Sequence, residues 1–136
     1  GELKAAEIST RKAIDLKPNF ADAYSNLGGI LSELGKFEEA EIFARKAIDL
    51  KPDHTEAHCN LGNILIDLGK FKEAEISTRK AIEINPEYVL AYSNLGSILC
   101  GLGKFKEARS CAEKIMSIRS CSILGSYNFN YVIELD

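Results

Sequence analysis

His54 and His58 stand four residues apart, with Cys59 beside the second. On a helix, imidazoles at that spacing share a face and, joined by a thiolate, can hold zinc or another transition metal. Two facts argue against a metal here. His58 falls in a column otherwise filled by Tyr24 and Tyr92, each 34 residues away, so it is expected to pack between helices, and His54 falls in a turn. The four cysteines, Cys59, Cys100, Cys111 and Cys121, form no C-x-x-C pair, and their spacings of 41, 11 and 10 match no zinc pattern. In other copies Ser25 and Ser93 stand for Cys59, and Phe43 and Ser77 for Cys111. Residues that interchange so freely read as small fillers and the thiols as reduced, which favours a cytoplasmic location. No nucleophile is paired with a base, no glycine-rich loop could cradle phosphate, and no carboxylate pair is tied to a His. An enzyme is therefore not expected in the repeated region, nor a cofactor or metal; catalysis could reside in a further domain.

The polar residue that does recur is Asn. Asn26, Asn60 and Asn94 each open an Asn-Leu-Gly phrase, 34 residues apart. An amide side chain offers a donor and an acceptor and can pair with a peptide backbone of any sequence. Packed helices lie ~8–10 Å apart, and an extended chain advances ~3.3 Å per residue. One Asn per unit would then meet a bound backbone at about every third residue. The alternative is that these amides bond within the fold itself.

The elements that position these groups follow from the period. Leu-Gly-Lys-Phe recurs at 34–37, 68–71 and 102–105, Pro at Pro18, Pro52 and Pro86, and the nine residues from Ala6 to Ile14 reappear unchanged from Ala74 to Ile82. A fixed period of this length means stacked supersecondary units. Each unit predicts two helices: first helices at about 21–34, 55–68 and 89–102, second helices at about 3–16, 37–50, 71–84 and 105–118. Gly35, Gly69 and Gly103 end the first helices with a left-handed residue, and the prolines end the second. Asn19 and Asp53 are expected to cap the following helices, the latter in the capping box Asp53-His-Thr-Glu56. Gly28, Gly62 and Gly96 cost ~1 kcal/mol each in mid-helix, a cost accounted for by close approach to Ala40, Ala74 and Ala108. Glu7–Arg11, Glu41–Arg45 and Glu75–Arg79 are acid-before-base pairs at helical spacing, expected to stabilise a solvated face.

The array is expected to span residues 1–118: a half repeat at 1–20 and full repeats at 21–54, 55–88 and 89–118. The tail, 119–136, departs from the pattern. It alternates like a strand, yet could form a capping helix or open a further domain. The chain has 136 residues, no initiator Met and a net charge of −3, and it starts halfway through a repeat, which reads as a piece of something longer. With an acidic pI near 5.5 it carries no nucleic-acid footprint, and no run of apolar residues is long enough to span a membrane.

The pattern as a whole resembles the tetratricopeptide repeat (TPR) family. The matching columns are Tyr24/His58/Tyr92, Leu27/Leu61/Leu95, Gly28/Gly62/Gly96, Ala40/Ala74/Ala108, Ala13/Ala47/Ala81 and the three prolines. Departures are His58 for an aromatic, Leu31/Leu65/Leu99 where Tyr is common, and the altered third ending. The resemblance implies an all-α, right-handed solenoid of antiparallel helix pairs, a protein–protein interaction scaffold whose first helices line a concave peptide-binding groove. That groove would present Asp22, Ser25, Asn26 and Glu33 in the first unit, Glu56, Asn60, Asn63 and Asp67 in the second, and Ser93 and Asn94 in the third. None of the first helices contains a Lys or Arg. The cationic clamp by which some TPR domains hold a terminal carboxylate is thus missing, and a neutral to basic partner segment is favoured over a phosphate-rich one. The asparagines are similar to the ladder in the TPR superhelix of O-GlcNAc transferases. Two other roles remain: end-to-end assembly through the exposed ends of the solenoid, notably the unpaired helix at 3–16, and substrate recruitment for a fused enzyme.

Overall fold

The computed structural model describes the backbone of residues 1–135 and side chains through residue 122. Among the described residues seven helices follow in order: α1 Glu2–Leu16, α2 Ala21–Glu33, α3 Phe37–Leu50, α4 Thr55–Asp67, α5 Phe71–Ile84, α6 Val89–Gly101 and α7 Phe105–Leu135. Among the described residues there is no strand. Each hairpin turn from a first to a second helix is the same left-handed stop. Gly35, Gly69 and Gly103 take φ of 78°, 75° and 76°. Lys36 N–H bonds Leu31 O, Lys70 bonds Leu65 and Lys104 bonds Leu99, so otherwise orphaned carbonyls are met. The second helices α1, α3 and α5 each stop two residues before a proline. Ser120 replaces that proline in the last unit, and α7 runs on through the tail as one helix of 31 residues. Whether the tail closes the array rests on side chains outside the described residues.

The caps differ from expectation. Asp53 does not cap α4; His54 does, its Nδ1 accepting from Ala57 N–H at 3.1 Å. The capping box with Glu56 is therefore not formed, because the extended residue that precedes the helix is His54. Asn19 likewise makes no cap bond; Phe20 holds that position before α2.

α2, α4 and α6 lie side by side in one row, with α1, α3, α5 and α7 in a second. Helices of the first row touch each other, whereas α3 and α5, and α5 and α7, do not approach as closely, so the stack curves with the first row on its inner face. Leu27, Leu31, Leu61, Ile64, Leu65 and Ile98 fill the seam between the rows, closed by Ala40, Ala44 and Ala74. Close approach explains Gly28 and Gly62 but not Gly96, where a Cβ would meet Cys111 Cβ at 3.7 Å and Ala108 O at 3.9 Å, ordinary contacts. A Cβ at Gly28 would stand 3.3 Å from Ala40 O and Ala44 N, and one at Gly62 would overlap Thr78 Oγ1. The aromatic column has a polar purpose as well. Tyr24 Oη donates to Pro18 O at 2.9 Å, His58 Nε2 to Pro52 O at 2.8 Å and Tyr92 Oη to Pro86 O at 2.7 Å. A ring with a donor at its tip is what that position needs, which is why His substitutes for Tyr.

Candidate binding groove

The inner face is built by the solvent-facing sides of α2, α4 and α6. Asp22, Asn26, Glu33, Glu56, Asn63, Asp67 and Ser93 are all exposed there, and Asn60 and Asn94 are half-buried. Ser25 is not available to a ligand. It is fully buried between α2 and α4, where its carbonyl and hydroxyl both accept from Asn60 Nδ2, at 3.3 and 3.2 Å. Burial in this column is decided by the neighbouring unit, which covers Ser25 and Cys59 but leaves Ser93 open.

The same bond recurs one unit on, with Asn94 Nδ2 on Cys59 O and Sγ at 3.3 Å each. Two of the three recurring amides are thus donors between units, while Asn26 has no such contact and stays exposed. The side-chain oxygens of Asn60 and Asn94 make no hydrogen bond among the described residues. Cys59 is correspondingly inert: burial, with Glu56 nearby and against the bond from Asn94, raises its thiol pKa to about 11. All four cysteines are free, Cys59 and Cys111 buried and Cys100 and Cys121 exposed.

His54 belongs to the joint between units one and two. Its Nε2 lies 2.7 Å from Asp22 Oδ1 while Nδ1 caps α4, an arrangement of the Nε2–H tautomer. Asp22 is therefore partly committed. Among the described residues no cluster of three His, Cys, Asp or Glu could hold a metal ion.

The outer face is charged and bridged. Arg11, Arg45 and Arg79 each hold a Glu four residues back and reach Glu39, Glu73 or Glu107 of the next unit, at 2.6, 3.3 and 3.1 Å. Lys36, Lys70 and Lys104 return to Glu7, Glu41 and Glu75. Sequence reasoning found the pairs within each helix and missed those between units, although the constant offset of 28 residues from Arg to the second Glu was there to find. Hydrogen bonding from Lys4 and Arg11 outweighs burial and lowers the Glu7 pKa. At Glu41 burial is opposed and exceeded by bonds from Arg45 and Lys70, with the same net direction.

Three tetratricopeptide-repeat family models match the sequence, over residues 21–54, 55–88 and 78–110. The chain belongs to the tetratricopeptide repeat family. It is an all-α solenoid of the protein-interaction scaffold class. Comparison with curated protein sequences gives no match. Among solved structures, this TPR chain is similar to a crystal structure of MamA, at 25% identity and a TM-score of 0.80, covering 90% of this chain and 72% of that one. A second MamA crystal structure is 26% identical, with a TM-score of 0.76 and coverage of 88% and 66%. MamA from Desulfovibrio magneticus RS-1, residues 41 to the end, is 20% identical, with a TM-score of 0.78 and coverage of 89% and 68%. Among the described residues no helix is long and apolar enough to cross a membrane.

Proposed function

We propose that this TPR scaffold binds an extended, neutral to basic segment of a partner protein along α2, α4 and α6. The observation that carries this reading is the charge of the inner face. Glu33, Glu56 and Asp67 are exposed there, and the three helices contain no Lys or Arg. The carboxylates belong to the first two units; in the third, Leu90 and Gly101 stand where Glu56 and Asp67 stand in the second. A segment with its basic residues over the first two units and an apolar residue over exposed Leu90 has the matching polarity. Asn26 offers donor and acceptor to its backbone, while Asn60 and Asn94 offer their carbonyl oxygens, having spent their N–H groups on the solenoid. This is a reduced form of the asparagine ladder. The free thiols fit a reducing compartment.

Selection of peptides from a library without aromatic residues tests the reading. Basic peptides are expected, weakened by Glu33→Gln/Glu56→Gln/Asp67→Gln and by Asn26→Ala. Acidic peptides, or binding indifferent to these changes, would overturn it.

A second reading is end-to-end association, favoured by the exposure of Leu3, Ile8 and Leu16 on α1, which among the described helices packs against α2 alone. Light scattering over a concentration series checks it: Ile8→Glu should lower an oligomeric mass, and a monomer at all concentrations sinks it.

A further inference from the structure

On the outer face, α3, α5 and α7 carry residues of different size at one repeat position: Phe43, Ser77 and Cys111, each 34 residues apart. In the first unit the Phe43 ring lies against Tyr24, with centroids 6.2 Å apart and planes at 24°. The Arg11 guanidinium sits over it, 5.4 Å from the ring centroid. Ile14 and Ile48 pack, with Phe43, against the cluster of Tyr24, Ala47 and Ala57. Ser77 and Cys111 put no ring in the corresponding space, and there the surface opens.

One cleft, of about 770 Å³, lies between α3 and α5 and reaches down to His58, Leu61 and Leu65 of α4, with Ser77 at its base. The other, of about 420 Å³, lies between α5 and α7 and reaches Tyr92, Leu95 and Leu99 of α6, with Cys111 at its base. They are the same cleft one repeat apart. The wall that Tyr24 gives Phe43 is given by His58 in the first cleft and by Tyr92 in the second. The cation above is given by Arg45 and Arg79, which correspond to Arg11. Neither small residue leaves a polar group waiting at the base of its cleft. Ser77 Oγ donates to His58 O at 2.9 Å, and Cys111 is a buried thiol kept protonated by burial. Ile76, 72% exposed, stands at the mouth of the larger cleft.

We infer that these two clefts are a second binding site, on the convex face, for aromatic side chains of a partner segment. The occupant is read from the chain itself: Phe43 shows what fits among an aliphatic floor, an aromatic or imidazole wall and an arginine lid. A ring entering either cleft gains the stacking and cation–π contacts that Phe43 makes internally. Its peptide backbone would run along the outer face, away from the inner one. Partner segments with aromatic residues and partner segments with basic residues therefore engage opposite faces and do not compete.

The probe is acetyl-Gly-Phe-Gly-amide, titrated into the whole chain and followed by NMR at the Ser77 and Cys111 amides and the Leu65 and Leu99 methyls. Saturable shifts are expected at both sets, absent with the Ala-for-Phe probe. Ser77→Phe should silence the α3–α5 cleft alone and Cys111→Phe the α5–α7 cleft alone, each weakening its own site by about tenfold or more. Phe43→Ser should add a third set of shifts at Leu27 and Leu31, a gain that does not depend on the filled variants folding. Shifts that survive the fills, that arise equally with the Ala probe, or that are missing altogether overturn the inference. Failure here leaves the inner-face reading standing, since that is tested with aromatic-free peptides.

Discussion

The two faces of this solenoid treat repetition in opposite ways. On the inner face the polar residue that recurs, Asn, is largely absorbed by the stacking of one unit on the next, through Asn60 on Ser25 and Asn94 on Cys59. What differs between units there is exposed charge, present in the first two and absent from the third. On the outer face the recurring Glu, Arg and Lys bridge units, and the residues that differ, Phe43, Ser77 and Cys111, decide where the surface is open. A residue repeated in register is first a candidate for holding the array together, because every joint needs it. Selectivity is carried where the units depart from one another.

The largest expected effect that sharpens this contrast is at Phe43. Phe43→Ser should cost roughly 2 kcal/mol, about half the range for a fully buried Phe because the ring is only half-buried, measured by urea unfolding. Ser77→Phe, which fills a cleft, should cost nothing comparable. A similar loss for both would mean the clefts are not preformed. Next come the amides. Asn60→Ala and Asn94→Ala should each cost about 1 kcal/mol as inter-unit bonds are lost, while Asn26→Ala should leave stability unchanged and act only on binding. Equal costs at all three would break the distinction between structural and available asparagines. Smaller again are the outer bridges. Arg45→Ala and Arg79→Ala should each cost about 0.2–1 kcal/mol, and less at high salt.

The smallest effect concerns pH. Glu7 and Glu41 titrate below their ordinary value of 4.5 in the folded chain. Their contribution to stability is present above pH 4.5 and is lost as pH falls through the lower, folded value. Glu7→Gln/Glu41→Gln should lower stability at neutral pH and flatten its fall with acid, the two chains converging once the parent's carboxylates are protonated.

Much of the fold was legible from the period. Helix bounds followed from the Gly and Pro stops, and the purpose of Gly28 and Gly62 from the small residues facing them. Errors arose where a contact crosses from one unit to the next, because spacing within one unit carries no sign of it. Ser25 reads as a groove residue until the Asn60 amide is seen to cover it. Asp53 and Glu56 form a plausible box, but His54, drawn into place by Asp22 of the preceding helix, supplies the cap instead. The tail's alternation suggested a strand as readily as a helix; the missing proline at Ser120 is the local reason α7 continues.

Mapping an aromatic-free basic peptide, taken from the selection above, onto the amide resonances of the whole chain is the most direct test of the central claim. The account predicts perturbations along α2, α4 and α6, centred on Asn26, Asn63 and Asp67, and weakened by the Glu33→Gln/Glu56→Gln/Asp67→Gln variant. Perturbations confined to α3, α5 and α7 would contradict it.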